Sequence, residues 1–236
     1  MYDLNDFYNK YSNKHKAEFD KTITLTNRYV FGIKTSILDK KARDLAKNNV
    51  SIYDIAMDSH ESILLIGFLI AYEDANIIER LKHLEYLLPF MDNWAYTDSI
   101  VPRLKILKNE KQFFINLLKS KNPFYRRVGI IFLQKFYLGQ DLKTTLSLIS
   151  KIKDDNYYVK MAIAWTLAEG MVYNFDYTLS IMEAINDKFI KMKTYQKAIE
   201  SYRISNSQKT ILRNMKAQTL RQLSYKQQVS SESNQI

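Results

Sequence analysis

Cysteine is absent from the 236 residues, so neither a disulfide nor a thiolate metal ligand can hold this chain together. That is compatible with a reducing compartment, and a cytoplasmic location is the expectation. The only histidines, His15, His60 and His83, are scattered, which argues against a histidine-based metal centre. Neither a metal nor any other cofactor is expected. Glycine occurs 5 times and proline 3 times. Such scarcity of turn residues disfavours a chain of many short strands and favours helices joined by short polar turns. The opening Met1-Tyr2-Asp3-Leu4-Asn5-Asp6 lacks the basic head and apolar block of a secretory leader. The longest apolar run, Ile63 to Tyr72, is too short to span a bilayer and is flanked by acids. It reads as a fully buried core helix, and no membrane partner is expected. Phosphate-cradling glycine loops, nucleophile elbows and paired metal-protease histidines are missing as well.

Negative charge is also in short supply. The formal net charge is +10, and the excess is unevenly placed. Nine acids face Arg80 and Lys82 between Val50 and Asp98, whereas eight basic residues face Glu110 alone between Arg103 and Arg127. From Lys188 to Lys226, ten basic residues face only Glu200. A polyanion would prefer the second and third regions. Solvated helix faces are the plainer explanation of charge runs taken by themselves.

What the chain does have is a helical beat. Polar breaks recur at Asp74-Ala75-Asn76, Asp92-Asn93, Lys108-Asn109, Asn122-Pro123, Gly139-Gln140-Asp141, Asp154-Asp155-Asn156, Asn174-Phe175-Asp176 and Asn186-Asp187. Each offers an Asn or Asp able to cap a following helix, and Pro123 suits a first turn. Leu142, Leu146 and Ile149 share one helical face, as do Phe114, Leu117 and Leu118. Breaks about sixteen residues apart give helix pairs of repeat-protein length. The expected fold is therefore all-α, a curved solenoid of helical repeats. Expected boundaries are an N-terminal helix and connector over 1–30, a repeat domain over 31–225 and a disordered polar tail over 226–236. Only Lys21-Thr22-Ile23-Thr24-Leu25-Thr26 alternates as a strand would, and it reads as an extended connector after a single helix over about Leu4 to Phe19.

Counting alternate helices places those starting near Asn93, Pro123 and Asn156 in one layer. That layer contains both tryptophans, Trp94 and Trp165, with Asp98, Arg126 and Arg127. Trp94 and Asp98 are four residues apart, so they share a helix face at about 6 Å between Cβ atoms. An aromatic wall beside a carboxylate suits a cationic ligand. The alternative is a core tryptophan near an aspartate placed at a helix start for the macrodipole. Trp165, among apolar neighbours, has a core role as its alternative. Arg126 and Arg127 could hold phosphate, or could form a surface pair.

Four segments then resemble the AlkD-type DNA alkylation repair family, the alkylpurine DNA glycosylases built from HEAT-like repeats. They are Phe31-Gly32-Ile33-Lys34-Thr35, like its FGI-x-TP segment; Asn93-Trp94-Ala95-Tyr96-Thr97-Asp98-Ser99-Ile100-Val101-Pro102, like its W-D-x-x-D-S-I-V-P; Phe124 to Ile130, like its W-x-x-R-x-A-I; and Lys160 to Glu169, like its K-A-I-G-W-x-L-R-E. The resemblance runs from Phe31 to about Arg203. It implies a hydrolase that excises cationic N3- and N7-alkylpurines from duplex DNA; a monomer is expected. It would make Asp98 the catalytic carboxylate, with Trp94 and Trp165 packed against the deoxyribose. Contacts to DNA would come from Arg127, and by position Arg126, Lys34 and Arg103.

The chain departs from the family pattern at Ala95, which replaces an acid, and at Ala168, which replaces an arginine. The family also places two helices before the FGI segment, the second pressing into the DNA groove, where one helix is expected here. Three functions follow as expectations. One is an active glycosylase. Another is a paralogue that keeps the scaffold but lacks the groove-probing helix, binding duplex DNA weakly and excising little or nothing. The last is a protein-binding solenoid.

Overall fold

The computed structural model describes the backbone of residues 2–233 and the side chains of residues 2–221. The described residues form thirteen α-helices and no strand, in keeping with a helical-repeat fold. A single parallel bridge between Tyr29 and Ser59 is their nearest approach to a sheet. The chain divides into two compact units, Met1–Phe132 and Leu133–Ile236.

The first unit holds α1 (Asn5–Tyr11), α2 (Lys14–Thr24), α3 (Thr35–Lys47), α4 (His60–Tyr72), α5 (Ile77–Leu87), α6 (Trp94–Ile100) and α7 (Lys111–Leu117), and α8 (Pro123–Phe136) begins in it. Its centre is α4, the apolar run of the sequence. Every residue from His60 to Ile70 is buried, and α3, α5 and α6 pack around it. Each fully buried Leu, Ile or Phe there contributes about 1.5–3 kcal/mol. Gly67 lets α6 approach, since a Cβ at that position would overlap the Ile100 side chain.

The second unit holds α9 (Leu142–Ser150), α10 (Tyr157–Tyr173), α11 (Phe175–Glu183), α12 (Lys188–Glu200) and α13 (Asn206–Ser233). Here α10 is central, with α9, α11 and α12 against it and α13 on α12. Thr166, Thr178 and Thr194 enter this core because each hydroxyl donates to a carbonyl one turn back. The backbone of α13 continues through Ser233, into the stretch expected as a tail, and residues 234–236 lie outside the described residues.

The N-terminus differs from the sequence expectation. Instead of one helix and an extended connector, two helices precede Phe31-Gly32-Ile33, and Thr22 to Thr24 belong to the second. The first helix stops at extended Ser12, and Asn13 restarts the chain by accepting the Lys16 N–H at 2.9 Å. The threonines do not break α2, because Thr22 donates to the Glu18 carbonyl (3.0 Å) and Thr24 to that of Asp20 (2.7 Å). Their low intrinsic propensity, about 0.5 kcal/mol each, is smaller than what tertiary contacts supply. Leu25 closes the helix in the left-handed region, at φ 55°, with its N–H on the Lys21 carbonyl.

Among the described residues no helix is long and apolar enough to cross a membrane. None of their His, Asp or Glu side chains gather in groups of three able to hold a metal ion.

Candidate functional site

The short helix α6 sets the geometry. Buried Asn93 is extended, and its side-chain oxygen accepts the Ala95 N–H at 3.0 Å. That cap fixes Trp94 as the first helical residue and Asp98 one turn later. Asp98 therefore lies in the last turn, not at a helix start. The macrodipole alternative fails, because a carboxylate at this end meets the negative pole and is disfavoured by a few tenths of a kcal/mol, roughly.

Another helix compensates. Arg127 of α8 forks onto Asp98, with Nε 2.9 Å from Oδ1 and Nη2 2.7 Å from Oδ2. The guanidinium is buried, with 6% of the side chain exposed against 18% for Asp98. Between them sits Thr97, whose oxygen accepts from Arg127 Nε at 3.0 Å. Its one hydroxyl proton can serve either Asp98 Oδ1 (2.8 Å) or the Trp94 carbonyl (2.9 Å). A two-pronged ion pair fixes the plane of a carboxylate as well as its position. Asp98 is thus oriented and still partly exposed.

Trp94 is tied to the N-terminal helices. Its indole Nε1–H donates to the Ile23 carbonyl at 3.0 Å. That carbonyl is one of those left without an intrahelical donor at the end of α2. The other end of α2 is held by Phe31, whose carbonyl accepts the Asn13 N–H at 2.8 Å. The segment carrying Phe31 is in turn gripped by Glu61. This wholly buried carboxylate accepts N–H groups from Phe31 (3.0 Å), Gly32 (2.7 Å) and Ile33 (3.1 Å). Three successive amides converge on one anion because Gly32 adopts φ +75°. A side chain there would also strike the backbone of Asn13 and Ala17. Glu61 thus reaches Trp94 through the 31–33 loop and α2.

Sequence reasoning missed Glu61. The available signal was an acid at the mouth of the most apolar helix, between Ser59 and Ser62, which form a reciprocal capping box. Beside it, His60 Nδ1 lies 3.1 Å from the Tyr96 hydroxyl. Burial outweighs the nearby Glu61 charge and lowers His60 below its ordinary 6.5, and burial likewise raises Tyr96.

The other expected site residues are placed less simply. The structure brings Trp94, Asp98 and Arg127 together. Arg127 was expected at a DNA phosphate, and here its guanidinium is turned inward onto Asp98. Arg126 donates to the carbonyls of Ser120 (2.6 Å) and Lys121 (3.0 Å), closing the turn after α7. Arg103 pairs with Asp39 at 2.5 Å, bonds the Ser99 carbonyl and lies 4.0 Å over the Phe68 ring. Burial pushes Asp39 up, but hydrogen bonds from Arg103, Tyr72 and Arg43 together hold it below its ordinary range. Lys34 is exposed at the start of α3. Trp165 belongs to the second unit. It is 36% exposed on α10, where the residues on either side of it are buried, so the core alternative for it does not hold.

A family model described as DNA alkylation repair enzyme matches residues 5–201, from α1 through α12. No match is found among curated proteins.

Proposed function

For this chain, which belongs to the DNA alkylation repair enzyme family, we propose the activity of a DNA glycosylase that removes cationic N3- and N7-alkylpurines from duplex DNA. The observation that carries it is the Asp98 carboxylate, fixed by Arg127 and Thr97 on the helix of Trp94 and still partly exposed.

Alkylation puts a positive charge on the purine, so the bond from the sugar C1′ to the base nitrogen is already weakened. When it breaks, its electron pair leaves with the base, which departs neutral, and positive charge develops on the sugar. Water then adds at C1′ and loses a proton, giving an abasic site. No strong general acid is required. An oriented carboxylate stabilises the sugar charge and aligns the water, which is the largest contribution a preorganised site can make. The Trp94 ring adds an aromatic face toward the same charge. Arg127 neutralises part of the Asp98 charge but holds its lone pairs in place. Trp165 joins this assignment through the family resemblance and is tested separately by Trp165→Ala.

The reduced, non-excising alternative rested on a missing second N-terminal helix. With α2 formed and bonded to Trp94, that ground is gone. Ala95 and Ala168 remain departures from the family pattern. The test is release of 7-methylguanine or 3-methyladenine from methylated duplex DNA by the full chain. Release is expected. None at large enzyme excess would overturn the assignment.

A further inference from the structure

The matched family region ends at residue 201, and α13 begins at Asn206. From Asn206 to Arg221 this helix carries Lys209, Arg213, Lys216 and Arg221 and no acid. The first three recur at i, i+4 and i+7, so they form one stripe. Some cations of this chain, among them Lys16, Arg28, Lys41, Arg43, Arg103 and Lys160, are each paired with an aspartate. On α13, none of the four cations has an ion pair or side-chain hydrogen bond among the described residues.

Packing explains how the stripe is displayed. Leu212 is fully buried, and Gln208, Met215 and Thr219 flank it on the same face. That face seats α13 on α12. Lys209, Arg213 and Lys216 occupy one flank beside it. The opposite side carries Ser207, Thr210, Asn214 and Gln218, with Arg221 as its one cation among the described residues. Like charges one turn apart repel and disfavour the helix, so an unpaired row is stabilised by an anionic partner. Its rise, about 6 Å from Lys209 to Arg213 and about 4.5 Å more to Lys216, is on the scale of successive phosphates at 3.4 Å of axis per strand. A lipid surface fits less well. The exposed apolar residues Ile211 and Leu220 lie on opposite flanks and make no face that could enter a bilayer.

We propose that the Lys209–Arg213–Lys216 stripe is a contact for the phosphate backbone of duplex DNA, supplied by a helix beyond the family-matched region. It rests on the reading of the chain as a duplex-DNA enzyme but concerns binding alone. The test measures duplex binding by fluorescence anisotropy across a salt series, for the full chain and for Lys209→Gln/Arg213→Gln/Lys216→Gln. Glutamine keeps the helix propensity of these positions. The variant should bind at least about tenfold more weakly at low salt, and its slope of log affinity against log salt should be shallower by about 2–3. Lys209→Arg/Lys216→Arg should bind as wild type does, which separates charge from folding. A triple variant with unchanged affinity and slope overturns the inference, as does binding that follows anionic vesicles instead of duplex. A wild type that binds duplex with the full slope yet releases no alkylpurine overturns the glycosylase assignment and leaves the α13 contact standing.

Discussion

Glu61 and Asp98 are two carboxylates of one helical unit put to opposite uses. Glu61 is wholly enclosed and satisfied by three backbone amides of a neighbouring loop. Asp98 is held by the side chains of Arg127 and Thr97 and remains partly exposed. The first arrangement leaves no room for a ligand and fixes the backbone. The second fixes a functional group and leaves it reachable. Burial and the kind of donor, rather than residue type, separate an anchor from a candidate catalyst.

Removing the anchor should have the largest effect on stability. Glu61→Ala strands three buried N–H groups, each costing about 1–3 kcal/mol, so a loss of roughly 3–5 kcal/mol is expected in urea denaturation. Glu61→Gln, which can still accept at one oxygen, should recover part of it. A loss below about 1 kcal/mol in the alanine variant would break the contrast with Asp98.

Next comes the ion pair. Arg127→Met leaves Asp98 mostly buried without its partner and should cost about 3 kcal/mol. Adding Asp98→Asn should cost little more, so the double variant should be more stable than the sum of the single losses implies. Simple additivity would mean that the fork contributes no coupling.

A smaller change tests the link to α2. Trp94→Phe removes one indole N–H from the Ile23 carbonyl and should cost about 1 kcal/mol. Amide exchange should quicken at Thr24 and Leu25, the last turn of α2, and unchanged exchange there would cut the proposed path from Glu61 to Trp94.

The mildest effect is pH dependence. His60 is lowered from 6.5 by burial, so the unfolded chain binds this proton more readily than the folded one. Its contribution is complete above pH 6.5 and is lost as pH falls from there through the lower folded value. The denaturation midpoint should drop between pH 7.5 and 5.5, and His60→Gln should reduce that drop. An equal drop in both proteins would remove His60 from the network around Glu61.

Much of this structure was legible in the sequence because its signals are local. Asn76, Asn93, Asp141, Asn156, Asn174 and Asp187 all cap helices with their side chains, at breaks the sequence marks. Ile63 to Ile70 is the buried helix that its hydropathy suggests. Misplacing α2 came from treating its threonines by propensity alone, when the hydroxyls of Thr22 and Thr24 bond back to the helix and Trp94 secures its end from 71 residues away. Glu61 was invisible for a related reason, since its partners lie 28 to 30 residues upstream. Spacing put Trp94 and Asp98 on one face but could not show that Arg127 would turn inward to meet the aspartate.

The central claim is that Asp98, and not Glu61, is the carboxylate that acts on DNA. It is tested most directly by single-turnover release of 7-methylguanine from methylated duplex, at saturating enzyme and at a temperature where each variant is folded. Asp98→Asn should fall by at least about 100-fold in rate with duplex affinity within about threefold of wild type, while folded Glu61→Gln stays within a few-fold, roughly, of the wild-type rate. Release by Asp98→Asn at the wild-type rate would contradict the account.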